Sequence, residues 1–154
     1  MIEPLRFSFE VHCAAHHAFA VWTRDISTWW PVSHSVSVER GLVVVLEPYV
    51  GGRIFERTPA GQEHEWGQIT LWEPPHEFAY LWHLRQDRAD ATEVHIQFHA
   101  LGAETTRVEI EHRGWERLGA RATELRNRNQ VGWSGLLPPY LEAIERSRNK
   151  EQSA

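Results

Sequence analysis

The sequence has only one cysteine, Cys13, among its 154 residues, and a single thiol excludes an internal disulfide. It also lacks a recognisable signal peptide and any apolar run near the roughly 20 residues that cross a bilayer. We therefore expect a cytoplasmic protein without membrane contact. The formal net charge of −5 disfavours nucleic acid as a partner, because nucleic-acid-binding domains usually carry an excess of basic residues.

Motifs of metal-dependent and nucleophilic catalysis are missing as well. The chain contains no HExxH, CxxC, phosphate-binding glycine loop or GxSxG. Its ten histidines suggest zinc, but His95 and His99 stand roughly 13 Å apart on a strand. His16 and His17 are adjacent and would diverge on a helix. We predict no metal and no other cofactor, and we interpret Cys13 as a small buried side chain.

Most of the chain before residue 113 consists of short segments in which polar and apolar residues alternate, a pattern that predicts β-strands. The first covers 7–11, and a helical pattern at 14–22 with a further short stretch at 25–31 predicts two short helices after it. We expect further strands over 42–46, 53–57, 64–72, 78–84, 94–99 and 107–112. Their spacing favours an antiparallel meander within a single domain, 1–148, followed by a disordered tail, 149–154.

A long helical pattern covers residues 116–148, where apolar residues recur at steps of three and four. Four helix-interrupting residues lie in its second half: Gly132, Gly135, Pro138 and Pro139. A proline inside a helix costs roughly 3 kcal/mol, so we predict a kink or break between Trp133 and Pro139. The glycines either separate two shorter helices or leave space over the sheet for a ligand.

Several short motifs together resemble one known family. They are FAVWT at 19–23, WWP at 29–31, GGR at 51–53, GQI at 67–69, PP at 74–75, FAYLW at 78–82, EIEHRGW at 109–115 and GW at 132–133. In this order they are similar to the activator-of-heat-shock-protein-90-ATPase-like branch of the START / polyketide cyclase-like (SRPBCC) superfamily. The resemblance implies an α+β helix-grip fold, with about seven curved antiparallel strands around a long C-terminal helix and a deep apolar cavity between them.

The inner strand faces supply the aromatic side chains that would line such a cavity. Our candidate ligand-binding residues are Phe55, Phe78, Tyr80, Trp82, Phe98, His112, Trp115 and Trp133. Aromatic surface with a few polar groups is typical of small-molecule sites, although plain core packing is the alternative for each residue taken alone. Trp66 and Trp72 fall on outward positions by the same alternation and could mark a homodimer patch.

His112 shares a predicted buried face with Val108 and Ile110. A buried histidine is expected to be neutral at pH 7 and must find a hydrogen-bond partner. It could act as a general acid or base with Tyr80 or a water, or it could be a structural residue bonded to the backbone.

Three functions are compatible with these observations. We favour a protein that binds an apolar small molecule, aromatic or polycyclic, between sheet and helix, without evident catalytic machinery. An enzyme of the cyclase or hydrolase type that uses His112 is the first alternative. A co-chaperone is the second, although the resemblance implies that true co-chaperones carry a separate N-terminal domain, for which we expect no room in this chain.

Overall fold

Residues 5–113 form a seven-stranded antiparallel sheet in the computed structural model, which describes residues 2–84 and 86–153, with side chains up to Lys150. The strands are β1 (Leu5–Val11), β2 (Val43–Leu46), β3 (Arg53–Arg57), β4 (Glu63–Glu73), β5 (Glu77–Trp82), β6 (Thr92–Gly102) and β7 (Thr105–Arg113). Their order across the sheet is β1-β7-β6-β5-β4-β3-β2. The first strand therefore pairs with the last, and all other neighbours follow one another in sequence.

Helices surround one face of this sheet. Helix α1 (Ala15–Trp22) follows β1, and the long helix α2 (Ala122–Ser153) comes last in the described chain. Short 3₁₀ helices lie at Ile26–Thr28, Val32–His34, Arg88–Asp90 and Trp115–Arg121. This arrangement confirms the predicted α+β fold, with two short helices after the first strand and a curved sheet against a long C-terminal helix. Among the described helices, none combines the length and the apolar character that crossing a bilayer requires.

The core lies between the sheet and α2. Every second residue is buried along β6 and β7, from Thr92 to Phe98 and from Thr106 to His112. Helix α2 adds buried side chains at three- and four-residue steps: Trp133, Leu136, Tyr140 and Ala143, with Ile144 beside them. Each fully buried large apolar side chain contributes about 1.5–3 kcal/mol, so this shared face is the main source of stability.

Helix α2 has no break between Trp133 and Pro139. Pro138 and Pro139 both lie inside it, so the predicted break is wrong. Buried Leu136 and Tyr140 flank the prolines. Their burial, at about 1.5–3 kcal/mol each, offsets the cost of interrupting the helix hydrogen bonds.

The two ends of the helix also differ from the sequence-based expectation. The α-helix begins at Ala122 instead of Glu116, because Gly119 interrupts the preceding 3₁₀ helix with φ 58° and ψ −126°. Glycine adopts such a conformation without steric cost. At the other end α2 continues through Ser153, so residues 149–153 of the predicted disordered tail are helical. Ala154 lies outside the described residues.

Two irregularities in β4 overturn the prediction for Trp66 and Trp72. The pairing passes from Ile54↔Gly67 to Phe55↔Glu65, which leaves Trp66 without an opposite residue, and a second shift follows between Ile69 and Leu71. An extra residue of this kind reverses the inward and outward sequence of side chains. Trp66 is therefore completely buried, and Trp72 packs partly buried against the core. Neither forms the outward patch that was proposed for a dimer.

A buried carboxylate fixes the loop that precedes β2. Glu56 is 0% exposed and accepts hydrogen bonds from Val36 N (2.6 Å), Ser37 N (3.0 Å), Ser37 Oγ (2.6 Å) and Trp66 Nε1 (2.8 Å). Burial acts to raise the pKa of Glu56, but these hydrogen bonds outweigh it and the pKa lies below its ordinary value of 4.5. Val38, which follows Ser37 in this loop, has a φ of 55°. The ionised carboxylate of Glu56 therefore holds this loop in place through hydrogen bonds.

We predict that Glu56→Gln lowers the free energy of unfolding by about 2–3 kcal/mol at pH 7, because an amide cannot accept all of these bonds and leaves buried donors unpaired. The folded pKa of Glu56 is depressed, so its contribution is present above the unfolded pKa of 4.5 and is lost as pH falls through the lower folded value. Urea unfolding from pH 7 to pH 3 measures both effects.

Glu39→Gln is the matched control for this prediction, because Glu39 lies in the same loop with its side chain exposed. At pH 7 Glu56→Gln should be less stable than Glu39→Gln. The free energies of unfolding of the two variants should become similar only near pH 3. Equal losses for both variants at pH 7 would contradict the anchoring role of Glu56.

Candidate functional site

A pocket of about 190 Å³ lies where the end of β5, the start of β6 and the first half of α2 meet. Its apolar wall is mainly aromatic and includes Trp30, Tyr80, Trp82, Trp115 and Trp133. Leucines complete this wall: Leu84, Leu118, Leu125 and Leu136. Polar side chains border it at Ser33, His34, His83, Gln86, Asp90, Thr92, Arg128 and Asn129.

The sheet side of the pocket is a run of packed rings. The Tyr80 ring lies 5.7 Å from the Trp82 ring, which in turn lies 5.9 Å from the rings of Trp30 and Trp66. The pairs with Trp66 and Tyr80 adopt edge-to-face geometry, the arrangement that aromatic rings favour. Tyr80 is 3% exposed, and burial raises its pKa far above the ordinary value, so its hydroxyl stays protonated.

His112 joins the helix to the sheet immediately behind this wall. Trp133 Nε1 donates a hydrogen bond to His112 Nδ1 at 3.0 Å, and His112 Nε2 lies 2.7 Å from Thr92 Oγ1. Because Nδ1 accepts, the ring proton is on Nε2 and is donated to the threonine hydroxyl. His112 is completely buried, and burial lowers its pKa from 6.5 to about 3. The ring is therefore neutral at pH 7, with both nitrogens engaged.

This arrangement positions aromatic rings. The His112 ring lies 4.3 Å from the Trp115 ring, and Trp115 Nε1 donates to the His112 carbonyl at 2.9 Å. The backbone carbonyl of His112 thus orients Trp115 and its side chain orients Trp133, two residues that line the pocket. It has no free nitrogen with which to abstract or deliver a proton in this conformation.

The predicted site residues separate into three groups. Tyr80, Trp82, Trp115 and Trp133 line the pocket, and His112 lies one layer behind them. Phe78 and Phe98 stack on each other deeper in the core, with Phe19 against both rings.

Phe55 lies elsewhere, on the other face of the sheet, where the guanidinium groups of Arg53 and Arg57 cover its ring at 4.2 Å and 5.5 Å. It alternates with Ile54 and Glu56, whose side chains point inward, and it is not among the residues that line this pocket.

Several residues of the pocket were missed from the sequence. Trp30 belongs to a loop, and residues 83–84 and 86–91 lie between β5 and β6, so their positions depend on how the chain turns. His83 is 6% exposed, and its Nε2 lies 3.0 Å from Glu65 Oε2. Leu118, Leu125 and Asn129 belong to the helical stripe that the sequence predicts, but that pattern does not distinguish residues that border a pocket from residues that fill the core.

The two glycines of the helix have different surroundings. A Cβ atom built on Gly132, which lines the pocket, would meet nothing within 4 Å. A Cβ atom on Gly135 would lie 2.9 Å from His34 Nε2. Gly132 therefore leaves open volume, whereas Gly135 allows the loop that carries His34 to approach the helix.

The described residues offer no metal centre, since no three His, Cys, Asp or Glu side chains among them stand close enough to share an ion. Cys13 is buried, and its backbone carbonyl accepts a hydrogen bond from Thr106 Oγ1 at 2.8 Å.

Comparison with known proteins identifies a family. A family model described as "Activator of Hsp90 ATPase homolog 1-like protein" matches residues 12–144. No match was found among curated proteins.

Three solved structures are similar to this chain. "An anthrahydroquino-Gama-pyrone synthase Txn09 complexed with SUM" is 36% identical, with a TM-score of 0.58 over 80% of this chain and 84% of that chain. The "self-sacrificing resistance protein, CalC from Micromonospora echinospora" is 26% identical, with a TM-score of 0.68 over 94% and 95%. An "HSP90 activator from plasmodium falciparum" is 21% identical, with a TM-score of 0.53 over 71% of each chain.

We predict that His112 makes the wild-type protein sensitive to mild acid. Its folded pKa of about 3 lies below the unfolded value of 6.5, so the unfolded state binds the extra proton between these values and stability falls as pH decreases. The expected loss approaches about 1.4 kcal/mol per pH unit below pH 6.5. Urea unfolding at pH 7.5, 6.5 and 5.5 measures it.

His112→Gln should unfold more readily at pH 7.5 than the wild type and should lack this part of the pH dependence. His99→Gln, at an exposed position on β6, is the control and should keep the wild-type slope. If His112→Gln retains the full slope, another group is responsible for the acid sensitivity.

Proposed function

Because the chain belongs to the activator of Hsp90 ATPase homolog 1-like family, we propose that it binds a compact aromatic small molecule in the pocket between β5, β6 and α2. The observation that carries this proposal is the composition of the wall, in which four tryptophans and a tyrosine surround one volume. Flat rings pack favourably against such a surface, and each buries a large apolar area.

The size of the pocket limits the ligand. Its volume of about 190 Å³ is somewhat larger than the cavity of about 150 Å³ that binds benzene in an engineered protein. A molecule of one or two fused rings fits the present conformation. A larger polycyclic ligand would extend beyond this volume.

The comparisons support a ligand of this kind. The relative at 36% identity is named as a synthase of an anthrahydroquino-pyrone, which is a fused aromatic compound. It is similar over 80% of this chain and 84% of that chain. The relative at 26% identity is named as a resistance protein, a function that fits with binding a small molecule.

An enzyme that closes or modifies aromatic rings is the second candidate, and the similarity to a named synthase at 36% identity is the observation that favours it. His112 does not support the version of this hypothesis in which it acts as general base, because burial keeps it neutral and its two ring nitrogens already have partners. A co-chaperone role has less support, since the activator relative at 21% identity is evidence for the fold alone.

We predict that Gly132→Leu abolishes most ligand binding without harming the fold. The new side chain would fill open pocket volume, and replacing a helical glycine stabilises a helix by up to about 1 kcal/mol. Naphthalene, 2-naphthol and 2-acetylnaphthalene are suitable two-ring probes. Equilibrium dialysis should give at least a tenfold weaker affinity than the wild type for the probes that bind.

Val131→Leu is the matched control, because Val131 precedes Gly132 in the same helix and is 74% exposed. It should bind the probes as the wild type does. A bound probe at 100 times its Kd should also stabilise the wild type by about 2.7 kcal/mol. The proposal fails if no probe binds the wild type, or if Gly132→Leu binds them equally well.

A further inference from the structure

Some hydrogen-bond donors in the aromatic wall of the pocket have no acceptor among the described residues. Three of its indole N–H groups have protein acceptors: Trp30 donates to the His34 carbonyl at 2.9 Å, Trp115 to the His112 carbonyl at 2.9 Å and Trp133 to His112 Nδ1 at 3.0 Å. Within residues 2–84 and 86–150, neither the Tyr80 hydroxyl nor the Trp82 indole N–H has such an acceptor. Both residues line the pocket.

Tyr80 is the more informative of the two. Its side chain is almost completely enclosed, at 3% exposure, whereas Trp82 is only partly buried and can reach water. Buried tyrosine hydroxyls normally have a hydrogen-bond partner, as Tyr140 has in the carbonyl of Ala18 at 2.8 Å. A hydroxyl that borders an open volume, with no acceptor among the described residues, leaves that role to whatever fills the volume.

We propose that the pocket selects aromatic molecules that carry a hydrogen-bond acceptor, such as an aryl ketone oxygen, and that Tyr80 donates its hydroxyl proton to that acceptor. This inference rests on the proposed function, because it concerns the ligand of the same pocket. The phenol acts as a donor because burial keeps it protonated. The partly buried indole of Trp82, 5.7 Å away between ring centroids, is a second donor on the same wall.

The chemistry of the remaining wall fits an uncharged acceptor. Arg128, the cationic side chain at the pocket border, pairs with Glu124 at 3.2 Å, and Asp90 lies at the same border with a negative charge. Thr92 accepts from His112, and its hydroxyl lies 3.4 Å from the Trp82 carbonyl. A neutral carbonyl therefore meets the enclosed phenol without needing a countercharge.

Two probes of nearly equal shape test the inference: 2-acetylnaphthalene, with a carbonyl oxygen, and 2-isopropenylnaphthalene, with a methylene group in its place. Their dissociation constants are measured by equilibrium dialysis with the wild type and with Tyr80→Phe. The ratio of the two dissociation constants is then compared between the wild type and Tyr80→Phe. This comparison removes the effect of the different hydration of the two probes. Tyr80→Phe should reduce the preference for the ketone about three- to tenfold, the range expected for one neutral hydrogen bond.

Tyr140→Phe is the control, since its hydroxyl is bonded within the core and Tyr140 does not line the pocket. It should leave the ketone preference unchanged and lower the melting temperature. Tyr80→Phe should keep or raise the melting temperature, because no described residue loses a partner. A lower melting temperature of unliganded Tyr80→Phe would mean that the hydroxyl already has a partner in the protein, and would overturn the inference.

The carbonyl stretching band of bound 2-acetylnaphthalene gives a second measurement. It should move to lower frequency in the wild type and return towards its position in an apolar solvent in Tyr80→Phe. If both probes bind with the same ratio in the two proteins, this inference is overturned and the proposed function stands. If neither probe binds the wild type, both fail.

Discussion

The hydrogen bond from the Trp133 indole to the His112 ring is the contact on which the pocket depends, because it connects helix α2 to strand β7 through the core. It works only with a neutral imidazole, since Nδ1 must accept a hydrogen bond while Nε2 donates to Thr92. Burial supplies that neutral state. One buried ring therefore sets the distance between helix and sheet and the orientation of the aromatic side chains around it.

Some of the tryptophans fill the interior of the protein, and others border the pocket. Trp22 packs against Trp29 at 5.1 Å and against Tyr140 at 4.6 Å, and Trp72 packs against Phe19 at 5.2 Å, so one end of the sheet is solid. At the other end, Gly132 has no side chain to place in the space between α2 and the sheet. The position of Gly132 on α2 therefore stays open, and dense packing elsewhere prevents the sheet from collapsing on the cavity.

The sequence predicts the order of elements and the inward faces of β1, β6 and β7, because hydrophobic alternation is strict there. It also places Tyr80 and Trp82 in one wall, since they share a face of β5. Sequence patterns do not predict the position of a side chain where it depends on a register shift between strands or on a hydrogen bond between distant residues. The bulge at Trp66, the position of Phe55 and the Glu56 anchor depend on pairings between strands, which alternation within one segment does not encode. The continuity of α2 through Pro138 depends on tertiary packing that local propensity ignores.

The bulge in β4 has a consequence for how this protein can change over evolutionary time. Deleting Trp66, the single residue between Glu65 and Gly67, would restore regular pairing and would remove the indole that bonds to Glu56 and packs against Trp30. The back of the aromatic wall would be lost, and the Glu56 anchor would lose one of its hydrogen-bond donors. Insertions and deletions in this strand are thus constrained more tightly than substitutions, and the length of β4 is as much a determinant of the pocket as the residues that face it.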